Sequence, residues 1–439
     1  MRLGTQKKLR VLDLFAGGGG FSLGFDLVST PDGNKAYEIV LAVDSDKYAC
    51  QTLRKYFASK YGDEDIVLEG DLTDNNIHRK VIEKCNSGID IIIGGPPCQS
   101  FSLIGPRSGY GKGKEKRYNS TDKLYIEYLK LVKQLEPSFI IFENVKGILS
   151  KKDGNERRYI DVISSDFKNL GYSFESESQE VENDYIILNA ADYGVPQTRE
   201  RVFLIGNNRG IKNPYPSATH RESEYITLHE AIGDLPRLRA KATFTGIPKK
   251  DRLLVDKHNA KVFNGSDQMP YHDDLFRKHY ESIGDKARAF LDFVSPNGQA
   301  LLTHHLARGQ KRNDILLFRG MRQGMTALDI FRNRDKTIKD LKKLIKYDMT
   351  SFLDKYKKQS WDKPCSTIFA HLEKDGNRFI HPDGKQARTI TPREAARIQS
   401  FPDWYEFEGP LMKKFNQIGN AVPPLLAAAI AKSLITNLR

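Results

Sequence analysis

Residues 10–25 read RVLDLFAGGGGFSLGF. A short, continuous Val/Leu run, Arg10–Phe15, has the form of a strand buried on both faces. Four consecutive glycines follow, Gly17–Gly20, and then a second apolar stretch. Glycines at a strand end let the backbone turn tightly and approach a ligand closely, with a helix behind them. The strict GxGxxG dinucleotide spacing fails in every register, because Ser22 or Leu23 stands where the third glycine should be. The stretch therefore predicts an α/β sheet and points to a nucleoside cofactor other than a dinucleotide.

Working outward, further buried-strand runs lie at Ile39–Asp44, Ile66–Glu69, Ile89–Gly94 and Phe139–Glu143, with one more at Arg201–Asn207. Between them, Thr121–Leu135 places Leu124, Tyr125, Tyr128, Leu131, Val132 and Leu135 on one helical face, and Pro137 stops it. Alternating strands and helices predict a parallel sheet with crossover helices. After Asn208 the alternation fades. A short basic amphipathic helix is predicted at 335–348, apolar patterning resumes at Pro364–Ile368, and a small-residue helix closes the chain at Pro424–Leu438. The expected organisation is a first domain over 1–208, an inserted smaller domain over 209–405, and a returning C-terminal segment over 406–439.

The 439 residues carry 69 Lys and Arg against 56 Asp and Glu, a net charge of +13. That excess sits in two places. Residues 301–360 hold a local net of +9, residues 105–120 (GPRSGYGKGKEKRYNS) hold +4, and the other 363 residues balance. Clustered positive charge points to a polyanionic partner. The four cysteines, Cys50, Cys85, Cys98 and Cys365, show no CxxC spacing, which argues against a zinc finger or a thioredoxin-type pair and for reduced cytosolic thiols. His304 and His305 are adjacent rather than spaced as ligands, and no metal is expected. The apolar stretch Phe415–Ala431 is broken by Gly419, Pro423 and Pro424, so a soluble protein is expected rather than a membrane span.

Asp44, Asp71, GGPPCQSFS and FENV stand where a parallel sheet presents its carboxyl ends, and PQTRERVF stands at a strand start. Asp44 ends the second strand, where a carboxylate can accept from both ribose hydroxyls, and Asp71, in GDLTD, could reach an adenine amino group. GGPPCQSFS, Gly94–Ser102, ends the fourth strand: Pro96 and Pro97 fix the backbone before Cys98, and the basic loop behind it favours thiolate. FENV, Phe142–Val145, brings Glu143 out of an apolar strand beside that edge, where burial should raise its pKa. PQTRERVF, Pro196–Phe203, spaces Arg199 and Arg201 by two, so both guanidiniums can share one face.

Together with TPREAARIQSFPD (Thr391–Asp403) and QIGNAVPP (Gln417–Pro424), these motifs resemble the DNA (cytosine-5) methyltransferases of bacterial restriction-modification type. The resemblance covers about 1–208 and 388–439, and the middle by position. It implies a Rossmann-like sheet that uses S-adenosyl-L-methionine, with a target-recognition domain inserted at 209–405, acting on double-stranded DNA. Cys98 would be the nucleophile toward C6 of a flipped-out cytosine, Glu143 would hold N3, and Arg199 and Arg201 would support the base and its phosphates. The cofactor pocket would comprise Phe15, Gly17, Gly19, Asp44, Asp71, Leu72, Pro97, Leu124, Asn420 and Ala421, and the loop 105–120 would close over the DNA. A cytoplasmic monomer, partnered by a restriction endonuclease of the same site, is the expected setting. A related subgroup acts on tRNA; the large basic insertion favours duplex DNA, since reading a groove needs a dedicated element. Ser45 departs from the Trp that small members place after the ribose carboxylate.

Overall fold

In a computed structural model of the chain, the described residues are 7–97, 124–153, 156–178, 183–238, 240–242, 268–271, 273–296, 301–346, 355–374 and 376–437. Cys98 and the loop 105–120 lie outside them. The chain divides into two compact units, the first comprising residues 1–193, 199–219 and 421–439, the second 194–198 and 220–420.

The first unit is built on β1 (Leu9–Leu14), α1 (Gly20–Asp26), β2 (Tyr37–Asp44), α2 (Lys47–Tyr61), β3 (Val67–Glu69), α3 (Asn75–Lys84), β4 (Ile91–Gly94), α4 (Leu124–Leu135), β5 (Phe139–Val145), α5 (Tyr159–Asn169) and β6 (Ile186–Asn189). After β7 (Gln197–Thr198), which belongs to the second unit, β8 (Glu200–Asn207) completes a seven-stranded sheet in the order β3-β2-β1-β4-β5-β8-β6. The first five strands in that order pair in parallel, while β8 runs antiparallel to both β5 and β6. The sheet is thus mixed at one margin, where β6, for which the sequence pattern predicts no strand, forms the edge.

The central strands are mostly apolar because helices cover both faces. Val11, Leu12, Ile91, Ile92, Ile93, Ile140 and Ile141 are all buried. One face meets α3, α4 and α5, whose Val81, Leu131, Val132, Ile163 and Phe167 join Leu12, Leu14, Ile92 and Ile140 in a single core. Asp46 and Asp74 set the starts of α2 and α3 by accepting from first-turn N–H groups. α1 packs against α14 (Pro424–Asn437), and it does so without side chains in the way. A Cβ on Gly20 would lie 2.0 Å from the Val422 carbonyl oxygen, and one on Gly24 would lie 2.3 Å from Ala427 Cβ.

The second unit holds α6 (Leu228–Ile232), β9 (Lys241–Ala242), β10 (Gln268–Pro270), α7 (Asp273–Ser282), α8 (Asp285–Val294), β11 (Leu301–Thr303), β12 (Gly309–Gln310), α9 (Arg312–Gly320), α10 (Ala327–Arg332), α11 (Lys336–Lys339), β13 (Cys365–Ser366), α12 (Pro392–Ile398) and α13 (Leu411–Asn420). Among the described residues its strands pair only in short two-stranded ladders. An apolar core of Ile315, Leu317, Phe318, Met321, Ile330, Tyr356 and Ile380 is joined by a buried ionic network on α12. Arg397 is paired with Asp234 and Asp403, and Arg388 with Glu394. The predicted helix over 335–348 is α only over Lys336–Lys339 and continues as 3-10 to Leu344.

The unit edges differ from the divisions at 208/209 and 405/406. β7 pairs with β13, and the buried Gln197 amide donates to Ile398 O and Gln399 Oε1 and accepts from the Ile368 N–H. These bonds draw 194–198 into the second unit, and the first unit resumes at Ala421 rather than at 406. The apolar segment Leu411–Ile435 is long enough to cross a membrane by composition. It is broken into α13 and α14 at residues 421–423, and 67% of its most apolar window is buried inside the protein, as in core helices.

Candidate active site

Parallel pairing places the carboxyl ends of β2, β1, β4 and β5 along one edge of the first unit. Asp13 stands opposite Ala42 and Ile93, Leu14 opposite Val43 and Gly94, and Gly94 opposite Phe142. Strand order reverses between β1 and β4, so this edge is the topological switch point where open α/β sheets bind ligands.

On the β1–β2 side the glycine turn closes onto Asp44. Phe15, Gly17 and Gly19 all take positive φ, 59°, 54° and 81°, conformations that glycine adopts without strain and phenylalanine does not. The Gly17 N–H donates to Asp44 Oδ2 at 2.8 Å, and the Asp46 N–H donates to Oδ1 at 2.7 Å. Burial nevertheless pushes the Asp44 carboxyl above its ordinary range. Asp13, beneath the turn, accepts from the Ser22 N–H and hydroxyl through Oδ2, and burial raises its carboxyl to about 7. Beyond β3, Asp71 is exposed and accepts from the Thr73 N–H and hydroxyl at 2.9 Å, while Leu72 is buried.

On the β4–β5 side, Gly95 makes room for Glu143. A Cβ at Gly95 would lie 2.6 Å from Glu143 Oε2. The other carboxylate oxygen pairs with Arg201 Nε at 3.1 Å, both side chains being largely buried. Desolvation raises the Glu143 pKa, and the charges of Arg201 and Arg199 pull it back. Arg201 sits opposite Val145 in the β5–β8 ladder. Arg199, just ahead of β8, is buried, and its Nη2 donates to the Ala421 carbonyl at 3.0 Å. Burial and the Arg201 charge lower its pKa well below the usual range. Pro96 is buried and its carbonyl accepts from Asn144 Nδ2 at 3.4 Å; Pro97, next in the chain, is exposed.

Of the residues singled out in the sequence, the structure joins Gly17 to Asp44, Glu143 to Arg201, and Arg199 to Ala421. Leu124 is half-buried at the start of α4. Asn420 belongs to the second unit, where its amide donates to Asn416 Oδ1. Cys98 lies outside the described residues, directly after the Gly95–Pro97 segment that touches Glu143 and Asn144. Gly95 and Asn144, which the motifs contain but the sequence reading gave no role, are the additions. The remaining cysteines are buried thiols, pushed up to about 12 at Cys50, about 11 at Cys85 and about 12 at Cys365, chiefly by desolvation. Among the described residues no group of three or more His, Cys, Asp and Glu side chains could hold a metal.

A family model described as C-5 cytosine-specific DNA methylase matches residues 9–436. Type II methyltransferase M.Bpa9945I of Bacillus paralicheniformis is 33% identical over 359 residues, which are 79% of this chain and 70% of that protein. Type II methyltransferase M.DdeI of Desulfomicrobium norvegicum is 31% identical over 443 residues, 97% of this chain and 88% of its own. A crystal structure from E. coli, described as a prophage-encoded DNA modification methyltransferase, superposes with a TM-score of 0.63 at 23% identity, covering 98% of this chain and 99% of that one.

Proposed function

Because the chain belongs to the C-5 cytosine-specific DNA methylase family, we propose that it methylates a flipped-out cytosine within a specific double-stranded DNA sequence through a covalent adduct at Cys98. The observation that carries this reading is the Glu143–Arg201 pair set against Gly95, three residues before Cys98.

The methyl donor that the family's chemistry requires is read as S-adenosyl-L-methionine, which when bound supplies an electrophilic methyl group and leaves as S-adenosyl-L-homocysteine. The residues fit such a nucleoside. A Cβ at Gly17 would meet nothing nearer than Phe15 O at 4.0 Å, so the turn leaves open space. A carboxylate offers about four acceptor positions, and the Gly17 and Asp46 N–H groups take one on each oxygen of Asp44. Phe15, Gly19, Asp71, Leu72, Pro97, Leu124 and Ala421 complete the proposed pocket by resemblance.

Cytosine C5 is a poor nucleophile until the ring is saturated at C6. In the proposed sequence the Cys98 thiolate forms a bond to C6, and the displaced π electrons are held toward C5 and N3. Glu143 stabilises that charge by holding a proton at N3. Arg201, buried against the carboxylate, fixes its orientation and keeps its pKa from rising further. C5 then accepts the methyl group, its proton passes to water, the C6–S bond breaks as C5=C6 re-forms, and the N3 proton returns to Glu143, which leaves Cys98 again a thiolate. The base must leave the helix, since stacking covers both ring faces. The basic residues 301–360 are read as part of the DNA-reading domain, expected over 209–405, and their Lys/Arg→Ala changes should weaken DNA affinity and flatten its salt dependence. Type II relatives support a restriction-modification setting, with a cytoplasmic monomer guarding DNA from a partner endonuclease.

Bisulfite sequencing of plasmid DNA from expressing cells tests the reading. We expect protected cytosines in one sequence context, lost with Cys98→Ser, while that variant still binds DNA. Unmodified cytosines in the wild-type plasmid, or full transfer by Cys98→Ser, would overturn the reading or its covalent step, respectively.

A further inference from the structure

Arg199 is 1% exposed, the most deeply buried charge in the Glu143 cluster. Its backbone N–H donates to Asn189 Oδ1 at 3.0 Å, and its guanidinium donates to the carbonyl of Ala421, 222 residues away in the chain, at 3.0 Å. Ala421 opens the turn that leads into α14. The same turn is pressed against α1, because a Cβ on Gly20 would lie 2.0 Å from the Val422 carbonyl oxygen and 3.2 Å from Ala421 Cβ. α1 follows directly on the turn whose Gly17 N–H binds Asp44. Ala421 and Val422 are therefore a two-residue backbone link between Arg199 and the first turn of α1.

We infer that Arg199 is a positioning residue for the cofactor side of the site: it holds the Ala421–Val422 turn against α1, and through α1 the glycine turn beside Asp44. The inference rests on the reading that this edge binds S-adenosyl-L-methionine, and it divides two arginines that share one motif. Arg201 orients the Glu143 carboxyl on the substrate side. Arg199, two residues earlier, acts through a backbone carbonyl and needs no contact with the target base. A guanidinium suits this task because its rigid fork can direct donors at fixed acceptors while remaining charged.

The test is binding of S-adenosyl-L-homocysteine, measured by calorimetry on the full chain without DNA, together with amide hydrogen exchange over residues 420–428. Arg199→Met should weaken binding at least tenfold and speed exchange in that turn. In turnover it should raise KM for the methyl donor. Arg199→Lys, which keeps a buried donor and tests the same link if Arg199→Met fails to fold, should recover part of the affinity. Arg201→Met should leave it within twofold. Unchanged affinity and exchange in Arg199→Met, with transfer lost at saturating donor, would overturn the inference and return Arg199 to the substrate side. A wild-type protein that does not bind S-adenosyl-L-homocysteine would overturn the cofactor reading itself, and the inference with it.

Discussion

Gly95 matters for the side chain it lacks. The Glu143 carboxylate fills the space a Cβ would take, 2.6 Å from Oε2. The obstructing atom is the end of a side chain rather than backbone, so Gly95→Ala can be accommodated by turning the carboxyl away from Arg201. Overpacking relieved in that way should cost about 1–3 kcal/mol of stability, since the largely buried ion pair is disturbed as well. Misplacing a catalytic group by about 1 Å costs about a hundredfold in rate. Gly95→Ala should therefore stay folded at a modestly lower melting temperature yet transfer methyl groups about a hundredfold more slowly at saturating DNA and donor. A rate near wild type would show that Glu143 does not depend on this gap. Glu143 and Arg201 were each legible in the sequence, at ends of apolar strands, but as separate candidates rather than as a pair. The separate role of Arg199 was not. Spacing by two implies a shared face only within one continuous strand, and β8 begins at Glu200, leaving Arg199 in the break after β7.

At the level of elements, the strands that could be read directly are those covered on both sides. β1, β4 and β5 announce themselves as Val/Ile/Leu runs because few polar residues stand in them. β6 is four residues at the sheet edge with Ile187 37% exposed, and a run as short as Ile186–Leu188 does not by itself separate a strand from a helical turn. In α8 the buried Ala287, Phe290, Leu291 and Val294 do follow helical spacing, but ten residues amid turns and scattered aromatics make a weak signal. Interhelical contact is less legible still, since a glycine in a sequence does not say what approaches it. Gly24 is the clearest case: an added Cβ would meet Ala427 Cβ at 2.3 Å, Pro424 O at 2.7 Å and Ala428 N at 2.9 Å, mostly backbone that cannot turn aside. Gly24→Ala should thus force α14 off α1 and destabilise the first unit by about 1–3 kcal/mol. Gly284→Ala is the control, because nothing lies within 4 Å of its Cβ position and an alanine there changes only the N-cap of α8, by about 0.5 kcal/mol. Denaturant titration of both variants would check the contrast, and equal midpoints would refute the packing argument.

Across the whole molecule, the two units bury ionisable groups of opposite kind, and acid should therefore act on them in opposite directions. In the first unit desolvation raises the carboxyls of Asp13, Asp44 and Glu143, with Asp13 reaching about 7 from an ordinary 3.8. A raised carboxyl binds its proton more tightly in the folded state, so its stabilising share is complete below the unfolded value and is lost as the pH rises through the folded one. Between pH 7 and pH 5, Asp13 alone should add about 2 kcal/mol to the first unit. In the second unit His305 and His381 are held neutral, at about 4 and about 3 against an ordinary 6.5, by burial first and by the Arg388 charge in addition. A lowered histidine gives its full share above 6.5 and loses it as the pH falls toward the folded value, about 2 kcal/mol each between pH 7 and pH 5. Glu394 and Asp403 are held below their ordinary values by buried arginines, so they keep their charge throughout that window and cannot offset the histidines. Amide exchange corrected for intrinsic rates, measured at pH 7 and pH 5, should show the slowest amides of β1, β4 and β5 becoming better protected in acid while those of α9 and α12 become less so. Parallel shifts in both sets would mean that the units open as one, or that these buried groups do not govern the pH response.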